Sequence, residues 1–169
     1  MVALFLLLWP PVKSDAHIVP EPTAPAVDPE LLFDIQVAAV ADAIYGAEGR
    51  CDKLHGLSGE YGCYQYQAGT WRSYSTIVAG EVLPQKENER MVTEGMIRIW
   101  LKEGKSPRWI FLTWNQGSGD GWGPGTKDCY AGVNKHGVPY DSCDYAARAT
   151  AFYEEAQLLS QRSLLPALP

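Results

Sequence analysis

From residue 29 onward, apolar side chains recur at helical spacing. Leu32, Ile35, Ala39, Ala43 and Ala47 form one stripe, and Val37, Ala41 and Ile44 lead into Glu48 along the adjoining face. Asp28 is a capping type and Pro29 suits a first helical position, so a helix is predicted to open there. Gly46 and Gly49 are expected to end it. The period is lost over 50–69, where Gly56, Gly59, Gly62 and two cysteines predict loop or a short hairpin. Helical spacing returns over 70–78 and is stronger over 88–103, where Val92, Met96, Ile99 and Trp100 share a face and Gly104 closes the segment. Ser106-Pro107 repeats the cap-and-first-turn pair and starts a short apolar helix through Trp109, Ile110 and Trp114. A glycine-rich loop follows over 117–125. The last helix carries Tyr145, Ala149, Phe152, Ala156 and Leu159 on one face and is expected to fray from Ser160. No internal repeat is present. The pattern predicts a mainly α domain with one irregular or β excursion after its first long helix.

The chain before this domain differs in kind. Residues 2–9 are an unbroken apolar run, too short for a bilayer, which needs about 20 residues. Ser14-Asp15-Ala16 offers a small-x-small cleavage site, although no basic residues precede the run. The expected organisation is an export segment at 1–16, a Pro-rich linker at 17–28 with Pro20, Pro22 and Pro25, the domain at 29–160, and a tail at 161–169. A disordered apolar tail is the plainer alternative for the first segment. Membrane contact is expected only through that segment, and no cysteine lies near it to carry a lipid.

Composition then narrows the partners. The 169 residues suffice for one domain with a core. The net charge is −6 with no Lys/Arg cluster, which excludes nucleic acid as a partner because nothing would replace its counterions. Six Trp and nine Tyr suit either a core or a groove that stacks on sugars. The four cysteines permit three connectivities, of which the local pairs Cys51/Cys63 and Cys129/Cys143 are favoured; behind an export signal they fit an oxidising compartment. The alternative of a zinc site lacks C-x-x-C spacing, and His55 and His136 form no ligand cluster, so no metal or other cofactor is expected. The 119–123 glycines follow no strand and have no Lys-Ser/Thr, which excludes a phosphate cradle.

Glu48 carries the candidate chemistry. It continues an apolar stripe at a helix C-terminus, where desolvation and the negative end of the helix dipole both favour the protonated carboxyl. Such a carboxyl suits protonation of a glycosidic leaving oxygen; the plainer alternative is an exposed helix-end Glu. Gly59-Glu60-Tyr61-Gly62-Cys63-Tyr64-Gln65 follows, then Thr70-Trp71. The glycines allow close backbone approach to a ligand, and Gln65 is of a type that bonds a sugar amide or hydroxyl.

Glu48 followed by Gly59-x-x-Gly62-x-x-Gln65 and Thr70 resembles the pattern of lytic transglycosylases and goose-type lysozymes, in the lysozyme-like superfamily. There a Glu ends a helix and a G-x-x-G-L-M-Q segment follows. Thr113-Trp114-Asn115-x-Gly117 is similar to that family's A-Y-N-x-G element, and Tyr145 in Asp144-Tyr145-Ala146-x-Arg148 to the Tyr opening its last helix. The elements occur in order from residue 30 to about 155. Three positions depart: Cys63-Tyr64 stands for Leu-Met, and Gly49 for the Ser that often follows the acid. The first cysteine pair would clamp the end of the Glu48 helix to the Gln65 segment in place of the Leu-Met packing.

The resemblance implies a lysozyme-like α+β fold and cleavage of the β-1,4 bond between N-acetylmuramic acid and N-acetylglucosamine in peptidoglycan glycan strands. In the transglycosylase version Glu48 suffices alone and the product is a 1,6-anhydro sugar. Hydrolysis would want a second carboxylate, with Glu60, Asp52 and Asp120 as candidates and Glu60 foremost, against a solvated loop charge as the plainer reading. Tyr61, Tyr64, Trp114 and Tyr145 are expected beside the cleft, Asn115 at a sugar N-acetyl group, and Trp71, Trp100, Trp109 and Phe152 in the core. The 117–125 loop is a candidate flap. A hydrolytic lysozyme and a non-catalytic secreted wall-binding module are the competing functions.

Overall fold

The computed structural model describes residues 27–116, 129–134 and 136–164. The segment expected to direct export, most of the Pro-rich linker, the 117–125 loop with Gly117 and Asp120, and the chain beyond 164 lie outside the described residues. What is described is mainly α, with five helices and one two-stranded sheet.

Helix α1 (Pro29–Ala47) starts as its residue types dictate. Asp28 Oδ1 accepts the Glu30 N–H at 2.9 Å, and Pro29 occupies the first turn. Its N-terminal half stays near solvent, with Leu32 47 % exposed, whereas Val37, Val40, Ala41, Ala43, Ile44 and Ala47 are buried. Three other helices pack on α1, so burial extends beyond the two stripes seen in the sequence. Gly46 does not stop the helix. It lies inside α1, where a Cβ would sit 2.9 Å from Cδ2 of Phe152, so the missing side chain makes room for that ring. The stop comes after Glu48, where Gly49, Arg50 and Cys51 all take left-handed φ values of 93°, 54° and 64°.

Helix α2 (Ala68–Ala79) buries Trp71 and Tyr74, and Trp71 Nε1 donates to the Leu83 carbonyl at 2.9 Å. Helix α3 (Gln85–Lys102) begins a turn earlier than its apolar period, because Gln85, Lys86 and Glu87 are polar and leave no period to read. Helix α4 (Pro107–Gln116) starts with Ser106 Oγ accepting the Trp109 N–H at 3.2 Å and buries Ile110 through Thr113. Helix α5 (Ser142–Leu164) is capped by Asp141, whose Oδ1 accepts the N–H groups of Cys143 and Asp144 at 2.8 and 3.0 Å. It continues past Ser160 to Leu164, which corrects the earlier end expected for it; Ser160 and Ser163 turn their hydroxyls back onto carbonyls four residues earlier.

The excursion after α1 takes the irregular form of the expectation, and the two-stranded sheet lies later in the chain. The segment after α1 holds only single bridges, His55 to Tyr61 and Tyr61 to Tyr66, because left-handed residues at Gly59, Gly62 and Gln65 interrupt any ladder. The sheet lies between α4 and α5: β1 (Ala131–Val133) pairs antiparallel with β2 (Pro139–Asp141), Gly132 opposite Tyr140. Its turn is built by Asn134, whose Oδ1 accepts the N–H groups of His136 and Val138.

Tyr66, Tyr74, Trp71, Trp100 and Trp114 meet edge-on or tilted at 5.1 to 6.1 Å between ring centres and tie α2, α3 and α4 together. Trp71 and Trp100 are buried; Trp109 and Phe152 are partly buried against the same core. Both local cysteine pairs are disulfides, Cys51–Cys63 and Cys129–Cys143. They fit an oxidising compartment, and no described helix is long and apolar enough to cross a membrane. Replacing Cys129 and Cys143 together by Ser is expected to cost about 3 kcal/mol, from the freed 14-residue separation in the unfolded chain. Urea unfolding of the oxidised parent and the double variant checks this, and a loss under about 1 kcal/mol would refute the entropic account.

Candidate active site

Glu48 is the first residue past the α1 helix, and its N–H still bonds the Ile44 carbonyl at 2.9 Å. The backbone therefore holds it rigidly although it no longer belongs to the helix. Its carboxyl meets Tyr145 in the first turns of α5, whose hydroxyl donates to Glu48 Oε1 at 2.9 Å. The residue keeps partial exposure, yet burial lifts its pKa from 4.5 to about 7, against the lowering effects of the Tyr145 hydrogen bond and the Arg148 charge; the Glu60 charge adds a smaller upward push. Burial and then the Glu48 charge push Tyr145 well above its usual range, so its proton stays in place. Tyr145 donates to Oε1, which leaves Oε2 without a hydrogen-bond donor among the described side chains.

The 59–66 turn, whose Glu60 charge acts on this acid, has a different set of bonds. Gln65 sits at φ 51° and gives its Nε2 hydrogens to the carbonyls of Lys53 and Gly62 at 2.8 and 2.6 Å, so its amide nitrogen shapes the loop and only Oε1 is left for a ligand. Glu60 Oε2 accepts the Ser58 N–H at 2.8 Å, and its charge reaches Glu48. Asp52 is exposed. Tyr61 is 37 % exposed and packs on His55 at 5.1 Å between ring centres. The hairpin turn is tied to the same loop through Asn134 Nδ2, which donates to Ser58 Oγ at 2.7 Å.

Two of the remaining aromatic candidates are interior. Tyr64 and Tyr145 are each 3 % exposed, so neither ring offers a face to a sugar. Tyr64 instead accepts from Arg90 Nη1 at 3.3 Å through its hydroxyl, and its carbonyl accepts the Trp114 Nε1 hydrogen at 3.2 Å. Trp114 is partly buried. Asn115, next along α4, has a buried Oδ1 with no hydrogen-bond partner among the described residues. A buried acceptor left this way is costly and has room for an N–H donor.

Two residues escaped the sequence reading. Glu89 of α3 is 6 % exposed and holds the turn: Oε2 accepts the Cys63 N–H at 2.9 Å, and Oε1 accepts Gln85 Nε2 at 2.7 Å. Gln85 also donates to the Tyr61 carbonyl at 2.7 Å. A Cβ on Gly62 would lie 1.5 Å from Glu89 Oε1, so glycine is what admits the carboxylate. Glu89 lies three residues before Val92 on an apolar stripe, the same signal that singles out Glu48. The other is Arg148, one turn past Tyr145 on α5, whose Nη1 donates to the Ala47 carbonyl at 2.9 Å.

A groove of about 310 Å³ lined by Asp42, Tyr45, Cys63, Tyr64, Glu89 and Arg90 does not include Glu48. Its Asp42 and Arg90 are paired with each other, and the acid of altered strength lies elsewhere. Among the described residues no group of three or more His, Cys, Asp or Glu side chains is placed to hold a metal ion. No protein family, curated protein or solved structure matches the chain.

Proposed function

We propose that this domain is a lysozyme-like enzyme that cleaves the β-1,4 bond between N-acetylmuramic acid and N-acetylglucosamine in peptidoglycan, as a lytic transglycosylase with Glu48 as its one essential carboxyl. The observation that carries the proposal is the Glu48 carboxyl, held near neutrality by burial while Tyr145 fixes one of its oxygens. A group with that proton affinity gives and takes a proton with comparable ease at neutral pH, and the reaction asks for both.

In the first half, Oε2 gives its proton to the bridging oxygen as the C1–O bond breaks. In the second half, the Glu48 carboxylate accepts the proton of the muramoyl 6-hydroxyl as that oxygen bonds to C1. Glu48 ends as it began, no water enters, and the product carries a 1,6-anhydro ring. Asn115 Oδ1 suits the N–H of an N-acetyl group beside the scissile bond, and Tyr61 is the exposed ring available to stack on a sugar. The two disulfides agree with the extracytoplasmic setting in which such a polymer is met.

The hydrolytic version is kept by one observation: the Glu60 charge reaches Glu48, so Glu60 is the carboxylate to activate a water. Digestion of purified peptidoglycan by the oxidised protein, read by mass spectrometry, separates the readings. Anhydromuramoyl fragments are expected; fragments heavier by one water would make the enzyme a lysozyme with Glu60 as its second carboxylate. Binding to the sacculus without fragments would overturn catalysis and leave a wall-binding module. The rate depends on protonated Glu48, so it is expected to fall as pH rises through about 7, by roughly tenfold per pH unit beyond it.

A further inference from the structure

Helix α1 has no basic residue in its last turn, yet its C-terminal carbonyls point toward the acid that follows. Unsatisfied carbonyls there carry partial negative charge, which disfavours a carboxylate at residue 48. The cation absent from α1 comes from α5. Arg148 Nη1 donates to the carbonyl of Ala47, the residue before Glu48, at 2.9 Å. Its Nε is held by Asp144 Oδ2 at 2.9 Å, one helical turn back on α5. The guanidinium carbon lies 5.7 Å from the centre of the Tyr145 ring, and Tyr145 in turn bonds Glu48. A closed circuit results, running from the Glu48 carboxyl through Tyr145 and Arg148 to the peptide that Glu48 shares with Ala47.

We infer that Arg148 is a positioning residue for Glu48, locking the end of α1 onto the Tyr145 ring and supplying the positive charge against which the Glu48 carboxylate forms. The inference deepens the glycan-cleaving reading and rests on it for its catalytic consequence, though not for the coupling between the two side chains. The groups that act on Glu48 are Tyr145 and Arg148 from α5 and Glu60 from the loop after α1. Asp144 is paired with Arg148, and of these groups Arg148 is the cation. Losing its charge makes Glu48 hold its proton more tightly. The acid form then persists to higher pH, but it is a poorer donor in the step that breaks the C1–O bond.

The test uses the oxidised full chain as parent, Arg148→Gln and Arg148→Lys. The Glu48 carboxyl is titrated by carbon NMR, its resonance assigned by its loss in Glu48→Gln, and peptidoglycan cleavage is followed across pH. In Arg148→Gln the Glu48 midpoint is expected to rise by about one pH unit. The alkaline limb of cleavage should move with it while the plateau rate falls; a residue that only supports the fold would lower the rate without moving that limb. Arg148→Lys keeps the charge and should restore most of the midpoint. A midpoint unmoved in Arg148→Gln, or moved equally in Arg148→Lys, overturns the inference. If the parent cuts no glycan while the midpoint still moves in Arg148→Gln alone, the coupling stands and the glycan reading is what fails.

Discussion

Glu48→Gln is expected to abolish glycan cleavage, by on the order of a thousandfold, while making the fold more stable above pH 7. The amide keeps the shape and an acceptor for Tyr145 but has no proton to transfer. The stability gain follows from the sign of the shift. The folded pKa of Glu48, about 7, lies above its ordinary 4.5. Below that ordinary value the carboxyl is protonated in both states and the substitution changes little. Between the two values the unfolded chain ionises while the fold keeps its proton, so stability drains away as pH rises through 7. Above 7 the folded protein carries a desolvated carboxylate, at a cost of about 3 kcal/mol by linkage and about 2 kcal/mol once its partial contact with solvent is allowed for. Urea midpoints of parent and variant at pH 5 and pH 8 measure this. The variant should be near parity at pH 5 and clearly more stable at pH 8. Equal stability at both would mean that the carboxyl is not desolvated, and the chemical argument for Glu48 would go with it.

The second large effect belongs to the turn at Gly62, which packs against Glu89. Gly62→Ala is expected to destabilise the domain by about 3–4 kcal/mol. Part of this, roughly 1–2 kcal/mol, comes from forcing an L side chain onto φ 87°. The rest comes from Glu89, which cannot share space with a Cβ 1.5 Å from its Oε1 and must leave the Cys63 N–H. A charge-assisted bond of that kind contributes roughly 1.5–3 kcal/mol. Thermal unfolding should fall by on the order of 10 °C. The double variant Gly62→Ala/Glu89→Ala separates the two causes: with the carboxylate gone the clash is gone, and the pair should cost clearly less than the two single changes added. Strict additivity would show that the turn moves away from Glu89 rather than colliding with it.

Both effects turn on carboxylates that continue apolar helical stripes, yet the sequence marks only one of them as chemical. Glu48 stood out because it ends its stripe just before a glycine-rich segment, a place where a buried acid has an obvious chemical use. Glu89 lies near the start of α3, in a run of polar residues, where it reads as one more solvated charge until the turn at Gly62 is folded against it. Gln65 shows the converse. Its type suggested a hand held out to a ligand, but a left-handed backbone turns its amide nitrogen inward to two carbonyls, something no spacing rule encodes. The motifs of Tyr64 and Tyr145 say nothing of how their rings are packed: both are buried, and Tyr145 reaches Glu48 through its hydroxyl.

The local part of this architecture was legible from residue order alone. Asp28-Pro29 and Ser106-Pro107 start helices through bonds within one turn. The short separations of the cysteine pairs favoured the pairing found, and the period of apolar residues marked where α-helices run. These features depend on neighbours a few positions apart, so the chain order already contains them. Contacts between distant segments depended on the fold. Gly46 became a contact surface rather than a stop because Phe152 packs on it from α5. The strands appeared after α4 rather than after α1 because Asn134 builds a turn there and left-handed residues prevent a ladder earlier. The acid strength of Glu48 is set by burial, by a hydroxyl 97 residues away in the chain, and by the charge of Arg148. A desolvated carboxyl and its counter-charge are properties of a place in space, and that place exists only once α1 and α5 have packed.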